Sequence, residues 1–115
     1  MDVAELKRLQ KGFDEKHVGL CENKPEDLLF LAAALAGEVG EFSNIVKKYY
    51  RKEKMKKEVA SDKDRDYIDE MKKEIIDVFC YFLITAYALD IDIEKEFLAN
   101  LERNKKRFGK IENNN

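Results

Sequence analysis

The chain has 115 residues, with 22 basic side chains against 24 acidic ones and a formal net charge of −2. That balance sets up no global field for a nucleic acid polymer or an anionic membrane. A single proline and five glycines are too few turn residues for a many-stranded sandwich or barrel. Charged residues at 40% and hydrophobic ones at 44% suit amphipathic helices, and the length suits one domain over residues 1–115. Cys21 and Cys80 do not make a disulfide framework, and a lone histidine, His17, argues against a Cys/His zinc site. The N-terminus has no apolar signal core, which points to the cytoplasm. The longest uncharged run, Val78–Leu89, is too short to span a bilayer.

The chain reads as four helices. Residues 2–17 place Val3, Leu6, Leu9 and Phe13 at helical spacing among charges, which predicts a surface-facing amphipathic helix. A loop follows over 18–24. Pro25 fits the first turn of a second helix, with Glu26 and Asp27 complementing its positive end. That helix is expected to run to about residue 57, becoming very basic after Lys47. The stretch 58–65 is polar, and Ser61 with Asp64 three residues on resembles a capping arrangement. A third helix is expected over about 64–89. Asp90 or Asp92 can cap a fourth ending near Phe108, where Gly109 suits the position after the last turn. The tail Glu112–Asn115 is expected to fray.

Two of these helices carry the functional argument. In the second, Leu28, Leu31, Leu35, Glu38, Phe42, Ile45 and Tyr49 recur at alternating steps of three and four. Such a stripe marks a buried seam, and Glu38 stands in it where the pattern wants leucine. Glu41 shares much of that face. Gly37 and Gly40 beside them would let a helix or a ligand approach the backbone closely. In the third, every residue from Ile75 to Leu89 except Asp77 is uncharged. A helix apolar on all sides is expected to be buried on all sides, carrying Asp77 inward. Glu74 and Asp77 point the same way, with Tyr81 one turn beyond.

Four inward carboxylates are tolerable only if protonated, matched by basic side chains or neutralised by cations. Hard oxygen ligands suit Mg²⁺ or Mn²⁺. The alternative is solvated charge at the helix edges, or salt bridges to Lys48, Lys72 and Lys73. Two pairs, each embedded in an apolar segment, favour the cation.

"GEVGEF", holding Glu38 and Glu41, followed by "EIIDVFCYF", holding Glu74 and Asp77, resembles the MazG-like nucleotide pyrophosphohydrolases. The closing "LERNKKRFG" is similar to the family's last segment through Asn104, Arg107 and Phe108. The resemblance spans about residues 5–109 and implies an all-α, four-helix MazG-like bundle with its core completed by homo-oligomerisation. It implies hydrolysis of a nucleoside triphosphate to the monophosphate and pyrophosphate, with Mg²⁺ on Glu38, Glu41, Glu74 and Asp77. Glu38 is the candidate to orient or deprotonate the attacking water. Tyr81, Asn104 and Arg107 match positions expected to contact phosphate or sugar. Lys48, with Lys47 and Arg51, is a weaker phosphate candidate.

The chain also departs from that pattern. The interval 42–73 between the two acidic pairs exceeds the family's usual gap. Gly37 stands where some relatives carry a further acid, and Asn100 where a lysine is often found. With no tryptophan, base stacking would fall to Phe13, Phe42, Tyr49 or Tyr50, and His17 is placed to reach a base. A catalytically silent assembly or regulatory protein on the same scaffold is the alternative reading. A di-iron oxidase, which normally needs two Glu-x-x-His pairs, is nearly excluded by the single histidine. The all-round apolar third helix predicts a homodimer or a dimer of dimers through residues 75–89. No membrane or nucleic acid partner is expected.

Overall fold

The computed structural model describes residues 1–113, with side chains through Gly109. Four α-helices follow one another, α1 over Val3–His17, α2 over Pro25–Glu53, α3 over Tyr67–Ala88 and α4 over Ile93–Asn113, with a 3-10 turn at Ala60–Asp62. There is no strand among the described residues. The protein is all-helical, as its turn-poor composition predicts.

Local chemistry sets most of the ends. Asp2 caps α1 by accepting from the Glu5 N–H at 2.9 Å. The helix stops where the N–H groups of Val18 and Gly19 both return to the Asp14 carbonyl. Gly19 has φ +112° there, a conformation that favours glycine. Pro25 opens α2, and Asp27 accepts from the Glu22 N–H at 2.8 Å, drawing the loop onto the first turn.

Three boundaries differ from expectation. Helix α2 ends at Glu53 rather than near 57, and α3 begins at Tyr67 rather than at 64. The cap of α3 is Asp66, which accepts from the Asp69 N–H at 3.0 Å. Asp64, assigned to a cap with Ser61, instead turns the chain at φ +62°. Asp92 rather than Asp90 caps α4, accepting from the Lys95 N–H at 3.2 Å. Asp90 takes φ +55° and closes α3. Gly109 does not end α4, because its φ stays out of the left-handed region and the helix continues to Asn113. Of the tail expected to fray, residues 112 and 113 are helical, and 114 and 115 lie outside the described residues.

Helix α3 lies between α2 and α1, while α4 packs on α1. Phe30 meets Tyr81 edge-on, and Glu38 lies by Glu74, so α2 and α3 run antiparallel. Lys7 Nζ donates to the Ile91 carbonyl at 2.7 Å, tying α1 to the α3–α4 turn. The buried apolar core among the described residues is thin: Leu31, Ile45, Tyr67, Leu83, Ala86 and Ala88. A compact chain of this length has a radius of gyration near ~13 Å, against 18.7 Å here. Helix α4 thus does not close a bundle over α2 and α3.

The same openness leaves apolar faces of α1 and α3 uncovered and puts Asp77, expected to point inward, at the surface. The α1 stripe faces outward, with Leu9 and Phe13 more than half exposed. Its inward face is Lys7, Gln10 and Asp14: Lys7 reaches the Ile91 carbonyl, Asp14 accepts from the Tyr87 hydroxyl of α3, and Gln10 donates to Asp14 within α1. Helix α3 packs on α2 and α1 and leaves its remaining face open, so Ile75, Ile76 and Phe82 are exposed and Asp77 is exposed with them. Helix α2 has an 18-residue window of mean hydropathy 1.4, long and apolar enough by length and composition to cross a membrane. Charged groups at mid-helix oppose insertion, and Glu38 and Glu41 stand midway along it.

Candidate metal centre

The site is built where the two interrupted apolar seams meet. Glu38 and Glu41 are three residues apart on α2, and Glu74 projects from α3 against them. One carboxylate oxygen from each lies within 4.8 Å of the other two. Glu38 and Glu74 are half-buried, and Glu41 is exposed. Glu38 Oε2 and Glu74 Oε2 are shut off from solvent and have no hydrogen-bond partner. Buried acceptors normally find a donor, so two orphans side by side require an explanation.

The electrostatics point the same way. Burial raises the pKa of Glu38 above the usual carboxylate range, and the charges of Glu41 and Asp77 push it further. Burial likewise raises Glu74, with Glu41 its strongest charged neighbour and Asp77 and Glu38 adding to it. Each proton bound there relieves desolvation and like-charge repulsion. A divalent cation would relieve both more completely and would supply the missing partner for both orphan oxygens. The donor set, carboxylate oxygen throughout, fits Mg²⁺ or Mn²⁺.

The salt-bridge alternative does not hold for this cluster. No ion pair among the described residues includes Glu38, Glu41, Glu74 or Asp77. Lys73 pairs with Asp69 at 3.1 Å instead. Asp77, placed inside the quartet from sequence, stands at its exposed edge and outside the mutually close oxygens. Three residues along a helix rotate a side chain about 60° off its predecessor's face, and Asp77 stays exposed on that flank. No helix among the described residues approaches Gly37 or Gly40 closely. A Cβ at either would meet nothing within 4 Å.

No known family model, curated protein or solved structure matches the chain. The site therefore rests on its own geometry.

The other predicted contacts are spread more widely. Tyr81 lies two turns beyond Glu74 and lines a cavity of about 230 Å³ with Asp14, Phe30, Cys80 and Ile84. Lys48, Lys47, Arg51 and Tyr50 line a separate open groove of about 580 Å³ near the end of α2. Lys48 acts on Glu70 rather than on the triad. Asn104 and Arg107 ride on α4, whose packing is against α1, and Arg107 lies over the Phe108 ring at 5.7 Å. Phe13 and His17 lie against each other on the exposed face of α1, their ring centroids 4.8 Å apart and their planes tilted by 44°.

Sequence reasoning missed two buried acids. Asp62, 1% exposed, takes the Arg51 guanidinium, the Tyr67 hydroxyl and the Val59 N–H. It sits in a stretch whose composition reads as plain polar loop. Asp14, 4% exposed, accepts from Gln10 Nε2 at 3.0 Å and from the Tyr87 hydroxyl at 2.6 Å. The usable signal was Tyr87, a phenol inside an apolar helix that needs a partner.

Proposed function

We propose that the chain is a divalent-cation-dependent nucleotide pyrophosphohydrolase, taking (d)NTP and water to (d)NMP and pyrophosphate. The observation that carries the reading is the pair of orphaned, solvent-shielded oxygens of Glu38 and Glu74 within a three-carboxylate cluster. Glu38, Glu41 and Glu74 would hold Mg²⁺ or Mn²⁺, with Asp77 beside them to complete the shell. When bound, the cation would supply charge neutralisation for the triphosphate and for the pyrophosphate that leaves as the bond between the α-phosphorus and its bridging oxygen breaks. Glu38, the most shielded from solvent with Glu74, is the side chain to orient the attacking water and accept its proton. Tyr81 and the cavity beside it hold the nucleoside. Asn104 and Arg107 serve the phosphates once α4 is brought to the site by assembly. The sequence resemblance to MazG-like enzymes supports the metal roles of the four acids and a phosphate or sugar contact for Tyr81, Asn104 and Arg107.

The test is pyrophosphate release from a panel of (d)NTPs, with and without Mg²⁺. Release that needs the divalent supports the reading. No release from any of them, with no cation bound, leaves the assembly or regulatory protein. Mg²⁺ at about 100 times its Kd should also stabilise the fold by about 2.7 kcal/mol, read as a higher Tm. NaCl of equal ionic strength should not reproduce that shift. Equal shifts from both salts mean screening and no site.

Assembly is part of the proposal. Exposed Ile75, Ile76 and Phe82 on α3, Leu29 and Val39 on α2, and Phe97 and Leu98 on α4 exceed what a soluble monomer leaves open. A second copy covers them, giving a homodimer or a dimer of dimers in the cytoplasm. Light scattering at micromolar concentration should give at least twice the 13.5 kDa chain mass. A 13.5 kDa particle overturns that part of the proposal.

A further inference from the structure

We propose that Asp14 selects the nucleotide's base, favouring one with an exocyclic amino group (cytosine, adenine or guanine) over uracil and thymine. This rests on the nucleotide reading above and deepens it. The cavity of about 230 Å³ has apolar walls from Phe30, Tyr81 and Ile84. Phe30 and Tyr81 meet edge-on with ring centroids 6.5 Å apart, a wall against which a flat heterocycle packs well. Its distance from the carboxylates suits one nucleotide. Phe30 precedes Glu38 by eight residues and Tyr81 follows Glu74 by seven, which at helical rise is about 12 and 10.5 Å. A base in the cavity therefore leaves its phosphates at the triad.

The polar side chains of its lining are Gln10 and Asp14, beside the Tyr81 hydroxyl and the Cys21 and Cys80 thiols. Asp14 is a buried carboxylate whose orientation is fixed from both sides. Gln10 Nε2 donates to Oδ1 at 3.0 Å and the Tyr87 hydroxyl to Oδ2 at 2.6 Å. Each oxygen retains a second lone pair, so toward the cavity Asp14 accepts and cannot donate while ionised. An exocyclic amino group offers it an N–H directly. Uracil and thymine offer only N3–H, flanked by two carbonyl oxygens. When one Asp14 oxygen takes that proton, the other faces a carbonyl, acceptor against acceptor. A site built around a fixed hydrogen-bonding group discriminates strongly against a partner that cannot satisfy it.

The test is metal-free binding of CMP, AMP, GMP, UMP and TMP, followed by calorimetry and by Tm shift. The amino-bearing monophosphates should bind at least about 10-fold tighter than UMP and TMP. Asp14→Asn, whose amide both donates and accepts, should bring that ratio close to one by gaining affinity for UMP. Gln10→Leu, at a half-buried position, frees one side of Asp14 and should lower the ratio by a smaller factor. It serves also if Asp14→Asn does not fold. Equal affinity for all five, no binding of any, or a ratio unchanged in both variants overturns the proposal. Pyrophosphate release without base preference would sink this inference and leave the enzyme standing. Base-selective binding without any release would do the reverse.

Discussion

Glu74→Gln should lower turnover by about 10²–10³-fold, while the metal-free protein melts no lower than wild type. The substitution keeps the shape of the side chain and removes one of three mutually repelling groups. As a ligand, Glu74 positions the charge that stabilises the transition state, so its loss falls on turnover. As a structural element it is a liability. Its Oε2 has no partner, and burial with Glu41 beside it already raises its pKa. The amide carries no charge to desolvate, so the fold gains or holds. The Mg²⁺-dependent rise in Tm should shrink in the same variant. Measuring activity beside metal-free and metal-bound melting separates the roles. Loss of stability with activity intact per folded molecule would show that the triad is structural. Asp77→Asn should have a smaller effect on turnover, because Asp77 stands outside the mutually close oxygens.

The acidic seam was legible in sequence because its cause is local. Helical periodicity fixes which side chains share a face, so Glu38 and Glu74 in apolar stripes had to meet or face solvent together. Periodicity does not say which face of a helix its own chain will cover. On α1 the sequence predicts a surface-facing amphipathic helix, and its apolar stripe of Leu6, Leu9 and Phe13 is the open face. The covered face is the polar one, because Asp14 has Tyr87 to receive and Lys7 has the Ile91 carbonyl. On α3 the all-round apolar pattern implies burial on every side and, for one chain of this length, a second copy to complete it. Its own chain covers α3 with α2 and α1, and Asp77 is exposed on the remaining face. A pattern records every surface a protein must cover, including those that a second molecule covers, so one sequence cannot apportion them. The loop 54–66 was opaque for a different reason. Its structure comes from side-chain bonds to α2 and α3, which leave no period.

That loop carries the second large effect. Asp62→Ala should lower Tm by about 10–20 °C and leave turnover per folded molecule unchanged at low temperature. Asp62 is where the end of α2, the 3-10 turn and the start of α3 are joined. Its carboxylate receives the Arg51 guanidinium and the Tyr67 hydroxyl, and the Val59 N–H at 2.9 Å. Arg51 also donates from Nε to the Lys57 carbonyl at 3.1 Å, and Arg65 lies 4.6 Å over the Tyr67 ring while pairing with Glu70. Alanine strands a guanidinium, a phenol and an amide at once. The Tyr67 hydroxyl above all, with the Val59 N–H and Arg51, holds the Asp62 pKa down to about 2. In the unfolded chain an aspartate titrates near ~3.9. A pKa lowered on folding contributes stability that is whole above the unfolded value and is lost as pH falls through the folded one. Wild type should therefore lose stability from about pH 5 down toward pH 2. Asp62→Ala should show a shallower loss over that window, because it lacks the group that titrates. Arg51 lies ten residues past Glu41, about 15 Å along α2, which is why turnover should be spared. Parallel acid-denaturation curves for the two proteins that differed only by a constant offset would show that Asp62 is not the titrating group.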